Sequence, residues 1–99
     1  MKELNTLLTK EQASFAVMLE EKAPYLQHLW DFEKRAHKDD EIEIYFKTAS
    51  HGESIMARFF LSVWRQDNFY NFDCIEAVKT LDSSSLTIVL DWMNEPFFP

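Results

Sequence analysis

The sequence predicts an all-α fold, a compact single-domain bundle of five to six short helices around a central helix at about residues 53–66. Three observations lead to this prediction. The 99 residues include one glycine and three prolines, too few for the many turns of an all-β fold. A 46% hydrophobic fraction with fifteen aromatic residues is typical of a globular protein with a substantial core. Apolar residues also recur at helical spacing along most of the chain.

The length predicts one domain over residues 1–99. A folded chain of this size buries about 65% of the surface that it exposes when unfolded, which is enough for a single core. A lead over residues 1–8 and an apolar tail over residues 95–99 are expected to be less ordered than the rest.

The first two helices are predicted from cap and proline signals. Thr9 and Gln12 stand at the spacing of a capping box, which predicts a helix over residues 10–22. Pro24 suits the first turn of a second helix, in which apolar side chains as far as Ala36 share one arc.

Residues 41–50 fit two patterns. Ile42, Ile44 and Phe46 alternate as in a strand, whereas the apolar residues at 42, 45, 46 and 49 follow the spacing of a helix. The helical pattern matches more positions. Gly52 is interpreted as the stop signal just after this helix.

The central helix is the most apolar segment. Eight apolar residues cover about two-thirds of its helical wheel, and Arg58, Ser62 and Arg65 form the narrow polar strip that remains. A helix that is apolar around so much of its girth must be surrounded by other elements. The two arginines are interpreted as its solvated side or as partners of the protein's own acids.

The last third of the chain predicts a loop and two more helices. The aromatic residues of loop 67–72 are expected to lie back on the core. Asp73 caps a short helix, with its apolar residues directed inward: Cys74, Ile75, Val78 and Leu81. Asp82 caps a final helix that stops before Pro96, with a broad inward face: Leu86, Ile88, Val89, Leu90, Trp92 and Met93.

The segment from Gly52 to Leu90 contains five groups of residues that form a recognisable pattern: Gly52-Glu53-Ser54, Ala57 to Leu61, Trp64, Asn68 to Asp73, and Leu81-Asp82. This pattern resembles that of a family of small bacterial proteins of unassigned activity that are associated with plasmids and prophages. It is a packing signature, with no catalytic residue or cofactor to carry over. The resemblance implies a helical domain that originates from a mobile genetic element.

Composition excludes several function classes. A single glycine rules out glycine-rich phosphate loops, and the single Cys74 rules out an internal disulfide. The chain has no apolar run of the roughly 20 residues that span a bilayer and no recognisable secretion signal, so a cytoplasmic location without membrane attachment is expected. A net charge of −7 repels nucleic acid and favours a basic protein as partner. No cofactor and no metal are expected.

Glu33 and His37 are the one pair whose placement asks for an explanation. On the predicted second helix Glu33 falls within the apolar arc, and His37 lies one turn away. Such a pair has two interpretations: a structural hydrogen bond or ion pair at the edge of the core, or a functional pair that shares a proton or a metal ion.

The chain carries more aromatic and apolar side chains than a small bundle can bury. This surplus predicts contact with another chain, and a homodimer is the simplest such assembly. The candidate partner-binding anchors are all aromatic: Trp30, Trp64, Trp92 and Phe97.

Three functions follow from these patterns. The first is a non-enzymatic protein–protein interaction or regulatory protein. The second is an acidic mimic of nucleic acid that binds a basic DNA-binding protein through five acids: Asp31, Asp39, Asp40, Glu41 and Glu43. The third is a small enzyme that uses Glu33 and His37.

Overall fold

The computed structural model describes residues 8–99, so the predicted lead over residues 1–8 lies outside the described part except for the buried Leu8. The described part is all-α, as predicted, with five α-helices, one 3₁₀ helix and a hairpin of two very short strands. None of these helices combines the length and the apolar content needed to cross a membrane. The chain divides into two compact units, one reaching Lys47 and including Pro99, the other running from Thr48 to Phe98.

The first unit begins with α1 (Lys10–Lys22). The predicted capping box is present, because the amide of Gln12 donates to Thr9 Oγ1 (3.0 Å) and the amide of Thr9 donates to Gln12 Oε1 (3.1 Å). Two of the four orphan amides of a helix start are satisfied in this way. Phe15 and Leu19, one turn apart, form the fully buried side of α1.

The predicted second helix is wrong beyond its first turns. A 3₁₀ helix (Pro24–Leu29) is followed by an antiparallel hairpin of β1 (Trp30–Asp31) and β2 (Ala36–His37). In a 3₁₀ helix residues three apart share a side, which is enough to bury Leu26 and Leu29.

Side-chain and backbone bonds in the hairpin turn explain why the helix stops. The amide of Lys34 donates to Asp31 Oδ1 (3.2 Å). Short acidic side chains can accept backbone amides in this way, and such a bond competes with the backbone hydrogen bonds of a helix. Arg35 has a left-handed φ of 52°, and its amide donates to the carbonyl of Phe32 (3.2 Å). The turn therefore reverses the chain where helical periodicity predicts continuation.

The segment with two patterns is a helix, α2 (Asp39–Thr48), as predicted. A half-buried strand would have placed Ile42 and Ile44 on the same face. Instead Ile42 is buried and Ile44 is 58% exposed, and Tyr45 is half-buried. The acids of the first turn complement the helix dipole, which explains why α2 begins at Asp39.

The second unit is built on α3 (His51–Arg65), the predicted central helix. Its apolar residues are buried as expected: Ile55, Met56, Ala57, Phe59, Phe60, Leu61 and Val63. Gly52 is not a stop signal, because Ser50 and Glu53 form a capping box that starts α3 there. Gln66 ends the helix in a left-handed conformation, with φ of 61°.

Two shorter helices complete the second unit. Asp73 caps α4 (Cys74–Thr80) by accepting from the amides of Ile75 and Glu76, and Asp82 caps α5 (Ser83–Asn94) by accepting from the amide of Ser85. Both caps are predicted from the sequence. Phe72, in the loop before α4, places its ring 5.5 Å from that of Phe59, so this loop aromatic lies on the core as expected.

Candidate interaction surface

Trp92 connects α5 to both the core and the tail of the second unit. Its ring meets that of Phe59 edge-on, with centroids 5.7 Å apart. Its indole Nε1 donates to the carbonyl of Phe97 at 3.0 Å, and the ring of Phe98 lies 5.6 Å away at 89°. These contacts hold the predicted apolar tail against the end of α5.

The four predicted anchors are therefore used largely within the units. The structure brings Trp92 and Phe97 together, and both are half-buried, as is Trp64. Trp30 belongs to the first unit, is only 3% exposed and packs on Phe15 with ring centroids 5.3 Å apart. A buried Trp30 leaves almost no surface for a partner.

The exposed apolar surface lies on other residues of the second unit. Leu86, Leu90 and Met93 follow i, i+4, i+7 on α5, so they stand within about 60° of one another on its wheel. We call this set the α5 stripe. Leu86 is half-buried, whereas Leu90 is 51% and Met93 41% exposed. The sequence prediction that α5 directs this whole face inward is wrong, because Val89 alone is fully buried.

Helix α4 exposes two further apolar side chains. Ile75 is 71% and Val78 60% exposed, and Cys74 is exposed as well. The predicted inward direction of these three residues is wrong. Ala77 is the buried residue of this seven-residue helix, and it is the small side chain that allows α4 to approach α3.

The segment that carries the α5 stripe has acids as its only charged residues. Residues 80–99 contain three acids, Asp82, Asp91 and Glu95, and no lysine or arginine. All three are exposed, one at each end of α5 and one within it. On the wheel of α5, Thr87 and Asn94 stand between the stripe and Asp91, so the residues next to the stripe are uncharged.

Arg58 and Arg65 tether the loop before α4 rather than forming a solvated strip. Arg58 Nη1 donates to the carbonyl of Tyr70 at 2.6 Å. Arg65 makes a bidentate pair with Asp67 (3.0 and 3.1 Å), and its guanidinium lies 4.5 Å from the centre of the Phe69 ring. Bidentate pairing and stacking of this kind fix the geometry of a loop.

The five predicted acidic residues lie in the first unit. Asp39, Asp40 and Glu41 occupy the first turn of α2, and Glu43 follows on the same helix, all exposed. Asp31 lies apart from them on β1 and is half-buried, because it accepts the hairpin-turn amide. The structure thus groups four of the five on one helix.

The predicted buried pair of Glu33 and His37 is wrong. Glu33 lies exposed in the hairpin turn, and the helix that would have set the two residues one turn apart is replaced by strands. His37 Nδ1 lies 2.7 Å from Asp39 Oδ1, just beyond the hairpin. The hairpin therefore places this histidine beside the carboxylate of Asp39 rather than beside that of Glu33.

Two other features offer no assembled site. Within residues 8–99 no group of three His, Cys, Asp or Glu side chains could hold a metal ion together. An open depression in the first unit is lined by one face of α1 alone, including Val17 and Met18. A single helix face provides one wall of a site and no convergent polar groups.

Comparison with protein-family models finds no match for this chain, and comparisons with curated proteins and with solved structures find none either.

The α5 stripe was missed at the sequence level although a signal for it exists. Two apolar lines run along α5, one through Val89 and Trp92 and a second through Leu86, Leu90 and Met93. One buried side of a helix needs an apolar arc of about 100°, and the two lines together span about 160° of the wheel of α5. The second line is therefore the sign of apolar surface beyond what one buried side needs.

Proposed function

We propose that this protein is a non-enzymatic interaction protein that binds a protein partner through the apolar surface of its second unit. One observation carries the proposal: large apolar side chains of this unit are between 41% and 71% exposed on α4, α5 and the tail, namely Ile75, Val78, Leu90, Met93 and Phe98. Apolar residues grouped in this way on helix faces mark contact surfaces more often than isolated exposed ones do.

The regulatory role and the mobile-element origin belong to the same proposal. The origin follows the resemblance of residues 52–90, and the regulatory role follows the apolar excess and the acidic charge balance. The proposed location is the cytoplasm. The exposed free thiol of Cys74 supports it, since an exposed thiol persists best in a reducing compartment.

The test compares the full chain with two neutral surface variants in its native host. The double substitutions Leu90→Gln/Met93→Gln and Ile75→Gln/Val78→Gln remove apolar surface without changing the charge. The matched control is Val17→Gln/Ile44→Gln, which alters two residues of the first unit that are 49% and 58% exposed. Affinity purification followed by intact-mass measurement reports the complex.

We expect the unmodified chain and the control to be recovered in one complex of defined mass. At least one of the second-unit variants is expected to lose tenfold or more of the partner. A complex that survives in both second-unit variants contradicts the proposal.

The acidic mimic is the second candidate, favoured by the exposure of Asp40, Glu41 and Glu43 on one helix. Changing the acids of α2 to their amides in the same experiment separates the two functions. If that variant loses the complex and both second-unit variants keep it, the protein acts as an acidic mimic and not through its apolar surface.

A further inference from the structure

We infer that Trp92 is the centre of a peptide-binding site in the second unit, and that the chain's own residues 96–98 occupy this site as an autoinhibitory segment. We call these three residues the tail segment. The partner displaces the tail segment with an extended segment of the same kind, which contains proline and aromatic residues. This inference rests on the proposed function and adds its regulation and the kind of partner segment.

Trp92 holds the tail segment through two kinds of contact. Its indole Nε1 donates to the carbonyl of Phe97 at 3.0 Å. The ring of Phe98 meets the indole edge-on, with centroids 5.6 Å apart at an angle of 89°, which is a favoured geometry for an aromatic pair. The site therefore binds a backbone carbonyl and the aromatic side chain of the next residue, and any extended segment with an aromatic residue can supply both groups.

The core fixes the tryptophan side of this site. On its other side the indole ring meets that of Phe59, also edge-on, with centroids 5.7 Å apart. Phe59 belongs to α3 and is only 2% exposed. A side chain that the core already holds loses little conformational freedom when it binds a ligand. Trp92 is thus positioned for recognition independently of the tail segment.

The tail segment is held by few contacts. It forms no helix or strand, and among the described residues the bond from Trp92 is its only hydrogen bond. Pro96 is exposed, and the ring of Phe98 is 53% exposed. A segment with little buried apolar surface and few backbone bonds opens locally while the rest of the fold stays intact. The tail segment can therefore leave Trp92 without unfolding α5.

Proline on both sides keeps the segment extended. Pro96 has no amide hydrogen with which to continue α5, and Pro99 disfavours the α conformation of Phe98. A chain that is already extended gives up little backbone freedom on docking, and aromatic surfaces bind proline-rich segments for this reason. A partner segment with proline beside an aromatic residue has the same advantage as the tail segment itself.

Covalent attachment makes the tail segment an inhibitor. Only Glu95 separates it from α5, and so short a connection gives an effective concentration of about a millimolar or more. A free segment finds an open site only in the fraction of molecules whose tail segment is released, and its apparent affinity falls by that fraction. A partner that offers the carbonyl and ring contacts alone is therefore excluded, whereas a partner with additional contacts to the second unit displaces the tail segment.

The test uses the full chain and a blocked peptide with the tail sequence, acetyl-Glu-Pro-Phe-Phe-Pro-amide. A control peptide has alanine in place of both phenylalanines. The released variant Phe97→Ala/Phe98→Ala removes both rings of the tail segment. Its matched control is Phe69→Ala, which removes a 66% exposed ring elsewhere in the second unit. Two-dimensional NMR titration of the amide and indole N–H resonances measures each affinity, and Trp92→Phe identifies the indole resonance of Trp92.

We expect the peptide to bind the released variant and to shift the indole resonance of Trp92. Its affinity for the unmodified chain and for Phe69→Ala should be at least tenfold lower, because the tail segment occupies the site in both. The alanine peptide should bind none of them.

Hydrogen exchange of the Trp92 indole proton provides a second measurement. Exchange should be at least fivefold faster in the released variant than in the unmodified chain, and bound peptide should slow it again. Circular dichroism checks that each variant folds. The single substitution Phe98→Ala should give intermediate values, and it carries the test if the double variant does not fold.

Equal affinity of the peptide for the unmodified chain and the released variant overturns the inference, because the tail segment then does not occupy the site. It is also overturned if the peptide fails to bind the released variant and Phe98→Ala, or if adding Trp92→Phe to the released variant leaves the affinity unchanged. A dimer of the unmodified chain that the released variant abolishes overturns it as well, since the tail segment of a second copy is then the occupant. The proposed function is tested separately, because it fails only when the host complex persists in both second-unit variants.

Discussion

Gly52 occupies the first turn of α3, where nothing in the described structure requires a glycine. Its φ is not positive, and a Cβ built on it would meet no atom within 4 Å. Glycine in a helix gives up more backbone freedom on folding than alanine does. Position 52 therefore has room for the side chain that glycine lacks.

We predict that Gly52→Ala raises the free energy of unfolding by about 0.5–1 kcal/mol. In a domain of this size such a gain raises Tm by a few degrees, and thermal and denaturant unfolding measure it. Gly52→Val is the comparison variant. Its branched side chain has lower helix propensity, so its gain should be smaller. A loss of stability in Gly52→Ala would contradict the open space that surrounds the residue.

Residue-level signals were reliable where they concerned local backbone bonds. Thr9, Asp73 and Asp82 were each predicted as caps, and each accepts the amide bonds that a cap requires. A cap depends on atoms within three residues, which the sequence shows directly. Ser50 and Glu53 carry the same signal, and it was obscured by interpreting Gly52 as a stop.

At the scale of elements, two helix starts carry carboxylates that respond to acid. The amide of Ser50 donates to Glu53 and holds the pKa of that carboxyl below its ordinary value of 4.5. The amide of Ser85, with smaller contributions from the Ser85 and Ser84 side chains, lowers the pKa of Asp82 below 3.8. Both groups stabilise the folded chain in their ionised forms.

We predict that the free energy of unfolding falls in acid and that these two carboxylates together account for part of the loss. In the folded state each pKa is lowered, so the unfolded chain binds protons at a higher pH than the folded chain does. Their contribution is therefore complete above their ordinary values and is lost as the pH falls through the lowered ones. Denaturant unfolding between pH 6 and pH 3 measures the slope.

The variant Glu53→Gln/Asp82→Asn keeps both caps, because Gln and Asn accept the same amide bonds without titrating. Its unfolding free energy should change less between pH 6 and pH 3 than that of the unmodified chain. Parallel pH profiles for the two proteins would show that other groups cause the acid sensitivity.

Elements differ in how far the sequence determines them. The bounds of α1 and α5 follow from a cap and a periodic apolar face, those of α3 follow from its apolar face alone, and the structure places all three within two residues of prediction. The hairpin after Leu29 does not follow in this way. Its strands pair only when Asp31 and Arg35 close the turn, and the apolar spacing there fits a helix equally well.

The direction of a helix face is determined by tertiary packing, and this limited the prediction of the surface. On α4 the apolar residues Ile75 and Val78 point to solvent while Ala77 is buried. Periodicity shows which residues share a face, but the neighbouring elements decide which face is covered. The sequence therefore predicts an apolar excess, but it does not predict that Ile75, Val78, Leu90 and Met93 are among its exposed members, and partner binding by the tryptophans stays a prediction.

For the molecule as a whole, net charge opposes contact between copies. The described first unit, residues 8–47, has nine acids and six bases, and residues 48–98 have seven acids and three bases. Neither unit has a basic excess to offer the acids of another copy. The charge of −7 therefore opposes association of copies at neutral pH, whereas the exposed apolar side chains of the second unit favour it.

This balance predicts that acidity alone drives self-association. The isoelectric point is about 4.8, so repulsion between copies fades as the pH falls from 7 towards 5. The exposed apolar surfaces of the second units of two copies can then come into contact without charge repulsion between the copies. Light scattering should show the apparent mass of the unmodified chain rising over this range.

The variant Leu90→Gln/Met93→Gln has the same net charge at every pH, so it isolates the apolar contribution. It should remain at the mass of one chain to a lower pH than the unmodified protein, while Val17→Gln/Ile44→Gln should associate as the unmodified protein does. If both variants associated over the same pH range, the copies would have to contact one another through surfaces other than the α5 stripe. Association confined to acid, and dependent on the α5 stripe, would mean that charge repulsion between copies keeps this surface free at neutral pH.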